Sequence, residues 1–174
     1  MYKRQTLDAL AKLRAVVAGG EVVTAGNSSS LNDGASAIVV ASAEAVERHG
    51  LRPRARIVAS ATAALAPEIM GLGPVPATQK ALAKAGLQIA DLGAVELNEA
   101  FASQSLACIR RLGLDPAIVN ADGGAIALGH PLGSSGSRLI VTLLGRLERE
   151  GARYGLATTV SYTHLRAHET KANL

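Results

Sequence analysis

Apolar residues return at helical spacing in several stretches of the chain. The clearest stretch is 136–151, which ends in a charged turn followed by Gly151. One stripe of this stretch carries Leu139, Ile140, Leu143, Leu144 and Leu147, which predicts an amphipathic helix. Residues typical of helix ends indicate further helices: Ser42 is an N-cap, Pro76 is an opening residue, and glycines follow the last turns. These further predicted helices cover 6–14, 43–50, 77–86 and 98–113.

Short apolar runs between these helices have the length of buried strands. The most continuous is SAIVVAS at 36–42, and it follows a loop rich in Gly, Asn and Ser. The other predicted strands cover 21–24, 55–64, 93–97, 117–120 and 153–160. Strands that alternate with helices are typical of βαβ units, so the pattern predicts an α/β fold with a sheet covered by helices.

The composition agrees with this class and narrows the function. Hydrophobic residues make up 48% of the 174, but there is one Phe, no Trp and 18 Gly. Small aliphatic side chains suit close packing of helices on a sheet. No apolar run approaches the 18 residues of a membrane helix, and the first residues lack a signal-peptide pattern, so we expect a cytoplasmic protein without membrane contact. A single cysteine, Cys108, excludes an internal disulfide.

The net charge of +4 comes largely from the two ends of the sequence. Residues 6–160 contain 14 Lys and Arg against 13 Asp and Glu, and no basic run is interleaved with aromatic residues. A strongly basic nucleic-acid-binding protein is therefore excluded. We also expect no metal site, because His, Cys and carboxylate residues do not cluster at ligand spacing.

Asn98 lies in VELNEAF, where a predicted strand meets a predicted helix. In α/β proteins ligands bind at the carboxyl ends of strands. Asn98 could be an ordinary N-cap that satisfies the backbone donors of the helix. Alternatively, its amide could point into a site and hold a water molecule or a substrate oxygen. The stretch alone leaves both interpretations open.

His130 lies in LGHPLGSSGS, between a glycine and a proline and just before a helix. Pro131 disfavours helical backbone at the residue before it and so limits the mobility of the histidine. The N-terminus of the following helix would disfavour an imidazolium and keep a neutral nitrogen available as a base. A structural role in the turn is the alternative. Cys108, on an apolar predicted helix, is better interpreted as a buried small residue than as a nucleophile.

Three segments together resemble the thiolase family, the acetyl-CoA acetyltransferases and 3-ketoacyl-CoA thiolases. They are TAGNSSSLNDGA at 24–35, LNEAFA at 97–102 and GGAIALGHPLGSSGSR at 123–138. EIMGLGPVPA at 68–77 also fits the family. The resemblance covers residues 6–160 and implies a thiolase-like α/β fold, limited to its C-terminal part, with a mixed sheet covered by helices.

The resemblance implies acyl transfer between CoA thioesters through an acyl-cysteine intermediate, with CoA as a substrate and no covalently bound cofactor. His130 matches the histidine that activates the nucleophilic cysteine, and Asn98 matches the asparagine that holds a water molecule in the oxyanion hole. Other positions match residues that line the CoA site and the acyl tunnel. These are Ala25, Ser29, Met70, Ala100 and Phe101.

The sequence departs from the family at both ends. The family's nucleophilic cysteine would precede residue 1, and its second cysteine would fall near position 160, which is a valine here. We therefore expect residues 1–5 and 161–174 to be non-native. On this basis 6–31 would end the loop region and carry the CoA-binding loop, 32–51 would complete the N-terminal half, and 52–160 would form most of the C-terminal half.

These departures predict that the 174-residue polypeptide is an inactive fragment of an active acyltransferase. The parent enzyme would be a homodimer or homotetramer. The alternative is a non-catalytic protein that binds CoA or a partner through the loop at 27–33.

Overall fold

The computed structural model describes residues 6–160. Six α-helices and two β-strands are formed within this part of the chain. In chain order they are α1 (Leu7–Ala11), α2 (Ala43–Arg48), α3 (Pro74–Ala85), β1 (Ala94–Leu97), α4 (Ala102–Leu112), α5 (Ala125–Leu128), α6 (Ser135–Glu150) and β2 (Gly155–Thr158). Three 3-10 helices lie between them, at Pro67–Leu72, Ile89–Asp91 and Pro116–Ile118.

The centre of the fold is a parallel pair of strands covered on both faces. β1 and β2 pair in register from Ala94 with Gly155 to Leu97 with Thr158. Because side chains alternate along a strand, Val95 and Leu97 point to one face, where they pack in a fully apolar core with residues of α3 and α4. The opposite face is covered by α6. This layering confirms the α/β class.

Glycines end the three longest helices, as the sequence predicts. Gly86, Gly113 and Gly151 all have positive φ, between 62° and 66°, and follow α3, α4 and α6. Ser42 caps α2 by accepting a hydrogen bond from the Ala45 N–H. α3 begins at Pro74, three residues before the predicted start, because a proline in the first turn loses no helical hydrogen bond.

Four predicted strands are wrong for this chain. Residues 36–42 and 55–64 form no strand, and the side chains of Val39 and Val40 are 88% and 74% exposed. Residues 21–24 contribute one isolated bridge, from Thr24 to Ala15, and 117–120 contribute one from Val119 to Val95. A strand forms only where a neighbour takes up its backbone hydrogen bonds. Within residues 6–160 only β1 and β2 provide one another with a continuous neighbour.

α1 is shorter than predicted and buries no residue. Thr6 caps it, and its first leucine, Leu7, is 85% exposed.

No helix among residues 6–160 is long and apolar enough to cross a membrane.

Candidate active site

Asn98 immediately follows β1 and is 2% exposed. Its backbone N–H donates to the carbonyl oxygen of Thr158 at 3.0 Å, which continues the pairing of β1 with β2 by one residue. α4 begins only at Ala102, its N-cap is Phe101, and no side chain caps it. The interpretation of Asn98 as a helix cap is therefore wrong, and its buried amide is available for another purpose.

The backbone around His130 is fixed by the loop at 27–32. The His130 N–H donates to the Ser30 carbonyl oxygen at 3.0 Å and to Asn32 Oδ1 at 3.2 Å. Gly129, just before it, has a φ of +98°, and a Cβ there would meet Asn32 Oδ1 at 2.4 Å. Only glycine therefore fits at this close approach of two segments. The prediction that His130 sits on rigid backbone is confirmed by these contacts.

The structure brings Asn98 and His130 together. Asn98 Nδ2 lies 3.5 Å from His130 Nε2, and His130 Nδ1 lies 2.6 Å from the hydroxyl oxygen of Ser135. That hydroxyl donates its only proton to the Pro131 carbonyl oxygen at 2.9 Å, so it must accept from Nδ1. The arrangement assigns the proton of the neutral imidazole to Nδ1 and leaves a lone pair on Nε2, facing the Asn98 amide.

The surroundings of His130 favour the neutral imidazole. Its pKa is lowered from the ordinary value, first by burial and second by the positive charge of Arg138. The predicted neutral nitrogen is therefore confirmed, although the sequence interpretation attributed it to the helix N-terminus. A neutral His130 at physiological pH can accept a proton.

Asn98 has a free acceptor beside this base. Its Oδ1 atom is buried and has no hydrogen-bond partner among the described residues. A buried amide oxygen without a donor costs about 1–3 kcal/mol, so this position fits a donor supplied by a water molecule or a substrate.

Three of the five residues matched to the CoA site and tunnel lie next to the two site residues. The backbone N–H and the hydroxyl of Ser29 both donate to the Ala100 carbonyl oxygen, at 3.1 and 3.3 Å. Phe101 forms an isolated bridge with Ser28, and its side chain is 44% exposed. Ser29, Ala100 and Phe101 therefore form one wall beside Asn98.

The other two residues lie farther out. Ala25 is exposed, in a turn closed by the hydrogen bond from the Asn27 N–H to the Thr24 carbonyl oxygen. Met70 is on the 3-10 helix Pro67–Leu72, which packs on α4, and is 53% exposed. None of the contacts described for residues 6–160 joins either side chain to His130.

Sequence reasoning missed the residues that support the site. Asn120, at a φ of +48°, accepts from the Leu97 N–H and donates to the Leu97 carbonyl oxygen and to Glu99 Oε1. Glu99 Oε2 in turn accepts from the Ile126 N–H at the start of α5. This network joins the end of β1 to the segment that carries His130. The only sequence signal was the turn-forming NADGG at 120–124, which does not identify the partners.

A buried charge pair was also missed. Glu96 is fully buried on β1, and its Oε2 lies 3.8 Å from Arg138 Nη1 on α6. Burial raises the pKa of Glu96 to about 7, against the opposing effect of Arg138. The sequence feature that could have indicated this pair is a glutamate within the otherwise apolar strand AVEL at 94–97.

Cys108 has the properties predicted for a structural cysteine. It is fully buried, its thiol donates to the Gly71 carbonyl oxygen at 3.4 Å, and burial raises its pKa. A buried thiol with a raised pKa is a poor nucleophile. Within residues 6–160 no group of three or more His, Cys, Asp or Glu residues could hold a metal ion.

Two family descriptions match the sequence. Residues 1–44 match the N-terminal domain of thiolase and residues 51–164 match the C-terminal domain. The predicted division near residue 51 stays a prediction, and the predictions for 1–5 and 161–174 lie outside the described residues.

Curated relatives are similar over most of the chain. The β-ketoadipyl-CoA thiolase of Pseudomonas aeruginosa is 59% identical over 155 residues, and the acetyl-CoA acetyltransferase of Shinella zoogloeoides is 54% identical over 153. These matches cover 88% of this chain and 39% of each relative. The chain therefore spans about two fifths of the length of the curated relatives that it matches.

Solved structures share the fold. Human mitochondrial 3-ketoacyl-CoA thiolase in complex with CoA superposes with a TM-score of 0.87 at 49% identity, over 90% of this chain and 40% of that one. The Bacillus anthracis acetyl-CoA acetyltransferase gives 0.85 at 42% identity, over 91% and 40%. The predicted thiolase-like fold is confirmed for this part of the structure.

Proposed function

Because the chain belongs to the thiolase family, we propose that it carries the histidine and asparagine of an active site that transfers acyl groups between CoA thioesters. The observation that carries this proposal is the contact between Asn98 and His130. It joins two segments 32 residues apart in the sequence and places a lone pair, an amide and an unpaired amide oxygen in one position.

His130 is the proposed base for a cysteine thiol supplied by the complete enzyme. Nε2 accepts the thiol proton, and the thiolate attacks the 3-oxo carbon of a 3-ketoacyl-CoA. The bond between C2 and C3 then breaks, which leaves an acyl-cysteine and the carbanion of acetyl-CoA. The second cysteine of the complete enzyme would donate the proton that converts this carbanion to acetyl-CoA. A second CoA thiol removes the acyl group. Once protonated, the same Nε2–H can donate to the oxygen that develops negative charge.

Asn98 is proposed to stabilise that oxygen. Its amide lies on the Nε2 side of His130, and its unpaired Oδ1 can orient a water molecule whose other proton points to the oxyanion. Since Asn98 is held by the strand pairing and is almost fully buried, its amide is preorganised for this role.

The wall formed by Ser29, Ala100 and Phe101 is the proposed contact surface for the pantetheine arm and the acyl chain, with Ala25 and Met70 farther along the ligand. The CoA complex of the human mitochondrial relative supports CoA as the substrate. β-Ketoadipyl-CoA thiolases are among the most similar curated relatives, at 54 to 59% identity, so a 3-oxoacyl-CoA with a terminal carboxylate is the substrate to test against acetoacetyl-CoA. We place the parent enzyme in the cytoplasm, as a homodimer or homotetramer.

The test uses the complete enzyme that contains this segment. We expect His130→Ala to lower kcat for thiolysis of 3-ketoacyl-CoA by about 10²–10⁴-fold and Asn98→Ala by about 10²–10³-fold, the usual range for a base and an oxyanion group. His49→Ala, at the exposed C-cap of α2, is the matched control and should retain full activity. Retention of wild-type kcat by His130→Ala would contradict the proposal.

The 174-residue polypeptide provides the complementary measurement. Its only cysteine is the buried Cys108, so we expect no detectable cleavage of acetoacetyl-CoA. Turnover above that of the His130→Ala polypeptide would overturn this expectation. If the complete protein also bound CoA saturably but gave no turnover, the non-catalytic alternative would be favoured.

A further inference from the structure

A second set of polar side chains lies next to the His130 cluster, between β1 and α6. Glu96 and Asn98 are two residues apart, so their side chains point to the same face of the strand. Ser135 and Arg138 are three residues apart on α6 and are neighbours on one face of that helix. Asn98 and Ser135 contact His130, while Glu96 faces Arg138 at 3.8 Å. The charge pair is therefore adjacent to both partners of the imidazole.

This pair is buried without hydrogen bonds. Glu96 is fully buried, and the side chain of Arg138 is 18% exposed. Neither carboxylate oxygen of Glu96 and none of the three guanidinium nitrogens of Arg138 has a hydrogen-bond partner among the described residues. A buried ion pair of this kind costs about as much in desolvation as it returns in Coulomb energy. Its presence is poorly explained by stability alone.

The other charged groups around the pair come from three elements. Arg146 lies two turns further along α6 and is ion-paired with Glu150 at 3.0 Å. Asp122, in the loop after the 3-10 helix Pro116–Ile118, and Glu99, just after β1, act on Glu96 as like charges. Arg138 is the one charged group of residues 6–160 identified as acting on both Glu96 and His130.

We propose that Arg138 and Glu96 act as positioning residues that influence the charge state of His130: the guanidinium adds to the effect of burial in disfavouring the imidazolium, and the carboxyl group controls how much of that positive charge the imidazole experiences. The catalytic value of this coupling rests on the proposed role of His130 as a base. The coupling itself does not, and it can be measured without turnover.

The two groups act in different ranges of pH. Since the pKa of Glu96 is about 7, its carboxyl is mostly protonated in the acidic range where His130 titrates, and Arg138 is then unopposed. Above neutral pH the ionised carboxylate offsets the guanidinium. The ring nuclei of His130 should therefore report two steps, its own protonation and the later ionisation of Glu96.

The experiment follows the imidazole resonances of the ¹⁵N-labelled 174-residue chain by NMR from pH 4.5 to 9. His130 is assigned by the signals lost in His130→Gln. We expect Arg138→Gln to raise the pKa of His130, because the opposing positive charge is gone. We expect Glu96→Gln to abolish the inflection near pH 7 in the His130 ring shifts. Arg146→Gln removes a buried charge from the same helix and is the control: it should leave the pKa of His130 unchanged and move the Glu96 inflection to higher pH, because Arg146 lowers the pKa of Glu96.

An unchanged His130 pKa in Arg138→Gln, or an equal rise in Arg146→Gln, would overturn the proposal. If Arg138→Gln does not fold, the wild-type inflection near pH 7 and its loss in Glu96→Gln decide the matter, with Arg138→Lys expected to retain the wild-type titration. The proposed function fails separately, by undiminished kcat in His130→Ala of the complete enzyme. Thiolysis activity with an unaltered titration would overturn this inference alone.

Discussion

At the scale of single residues, the site depends on which atom faces which. His130 contacts Ser135 through Nδ1 and Asn98 through Nε2, so one ring nitrogen faces a hydroxyl group and the other faces an amide. The sequence predicts that a histidine before a proline has limited mobility, and the structure adds hydrogen bonds from its backbone N–H to Ser30 and Asn32. The sequence could not assign the tautomer of His130. The tautomer depends on the Ser135 hydroxyl, which donates its proton to the Pro131 carbonyl oxygen and so must accept from His130.

Ser135→Ala tests this assignment directly. Loss of the hydroxyl removes the acceptor for Nδ1–H, so we expect the neutral Nδ1–H tautomer of His130 to lose population to Nε2–H. The ¹⁵N shifts of the two ring nitrogens at pH 8 measure the ratio. Ser137→Ala is the matched control, since its hydroxyl lies on the same first turn of α6 but bonds to Ser36 and to the Ser134 carbonyl oxygen. If both variants, or neither, change the ratio, Ser135 does not hold the tautomer.

At the scale of elements, the sequence correctly predicted helix ends that depend on neighbouring residues, but not the strands that depend on distant ones. Caps and stops such as Ser42, Gly86 and Gly113 depend on contacts within one turn, and the structure forms them where the sequence places them. The apolar runs at 36–42 and 55–64 have strand composition but form no strand within residues 6–160. Strand formation requires a partner distant in sequence, and composition does not reveal whether that partner is present.

Gly129 connects two elements at the site, and its substitution tests that connection. An alanine there would have to adopt a φ of +98° and would place its Cβ 2.4–2.5 Å from the Asn32 amide. We expect Gly129→Ala to lower the free energy of unfolding by about 1–3 kcal/mol, as measured by urea denaturation.

The control for this prediction is Gly136→Ala. Gly136 lies inside the first turn of α6, and a Cβ there meets nothing within 4 Å. Alanine is the better helix former, so this variant should be unchanged or more stable by up to about 1 kcal/mol. Equal destabilisation by both substitutions would show that the Asn32 contact does not constrain Gly129.

At the scale of the whole molecule, the site is a property of chain segments that meet only in the fold. The loop at 27–32, the end of β1 and the segment before α6 each carry a recognisable motif, and their order and spacing predicted the family correctly. These segments contact one another directly, as between Asn98 and His130, but the network that supports them passes through residues to which the motifs assign no role, such as Asn120 and Glu96. Polar side chains of this kind acquire partners only from tertiary packing, so sequence patterns indicated the chemistry without the supporting network.

The buried Glu96 gives the molecule a stability that falls as pH rises. Its pKa is about 7 in the folded state against an ordinary value of 4.5, so the folded state binds the proton more tightly and loses relative stability between pH 4.5 and 7. Two and a half pKa units correspond to about 3 kcal/mol for this fully buried side chain. His130 acts in the opposite direction, since its lowered pKa makes stability rise with pH until about 6.5. Glu96 is mostly protonated where His130 titrates, so this contribution is nearly the same in wild type and in Glu96→Gln.

Glu96→Gln should therefore stabilise the chain at alkaline pH although it removes one partner of an ion pair. The glutamine resembles the protonated glutamate, so we expect little change in the free energy of unfolding at pH 5 and an increase of up to about 3 kcal/mol at pH 8. Urea denaturation at pH 5, 6, 7 and 8 gives the difference between variant and wild type, in which the contribution of His130 nearly cancels. Glu47→Gln, on the exposed surface of α2, is the matched control for the same chemical change at an exposed position. If the free energies of unfolding of Glu96→Gln and wild type changed in parallel with pH, Glu96 would be ionised in the folded protein without loss of stability. The charge pair with Arg138 would then offset the cost of burying the carboxylate.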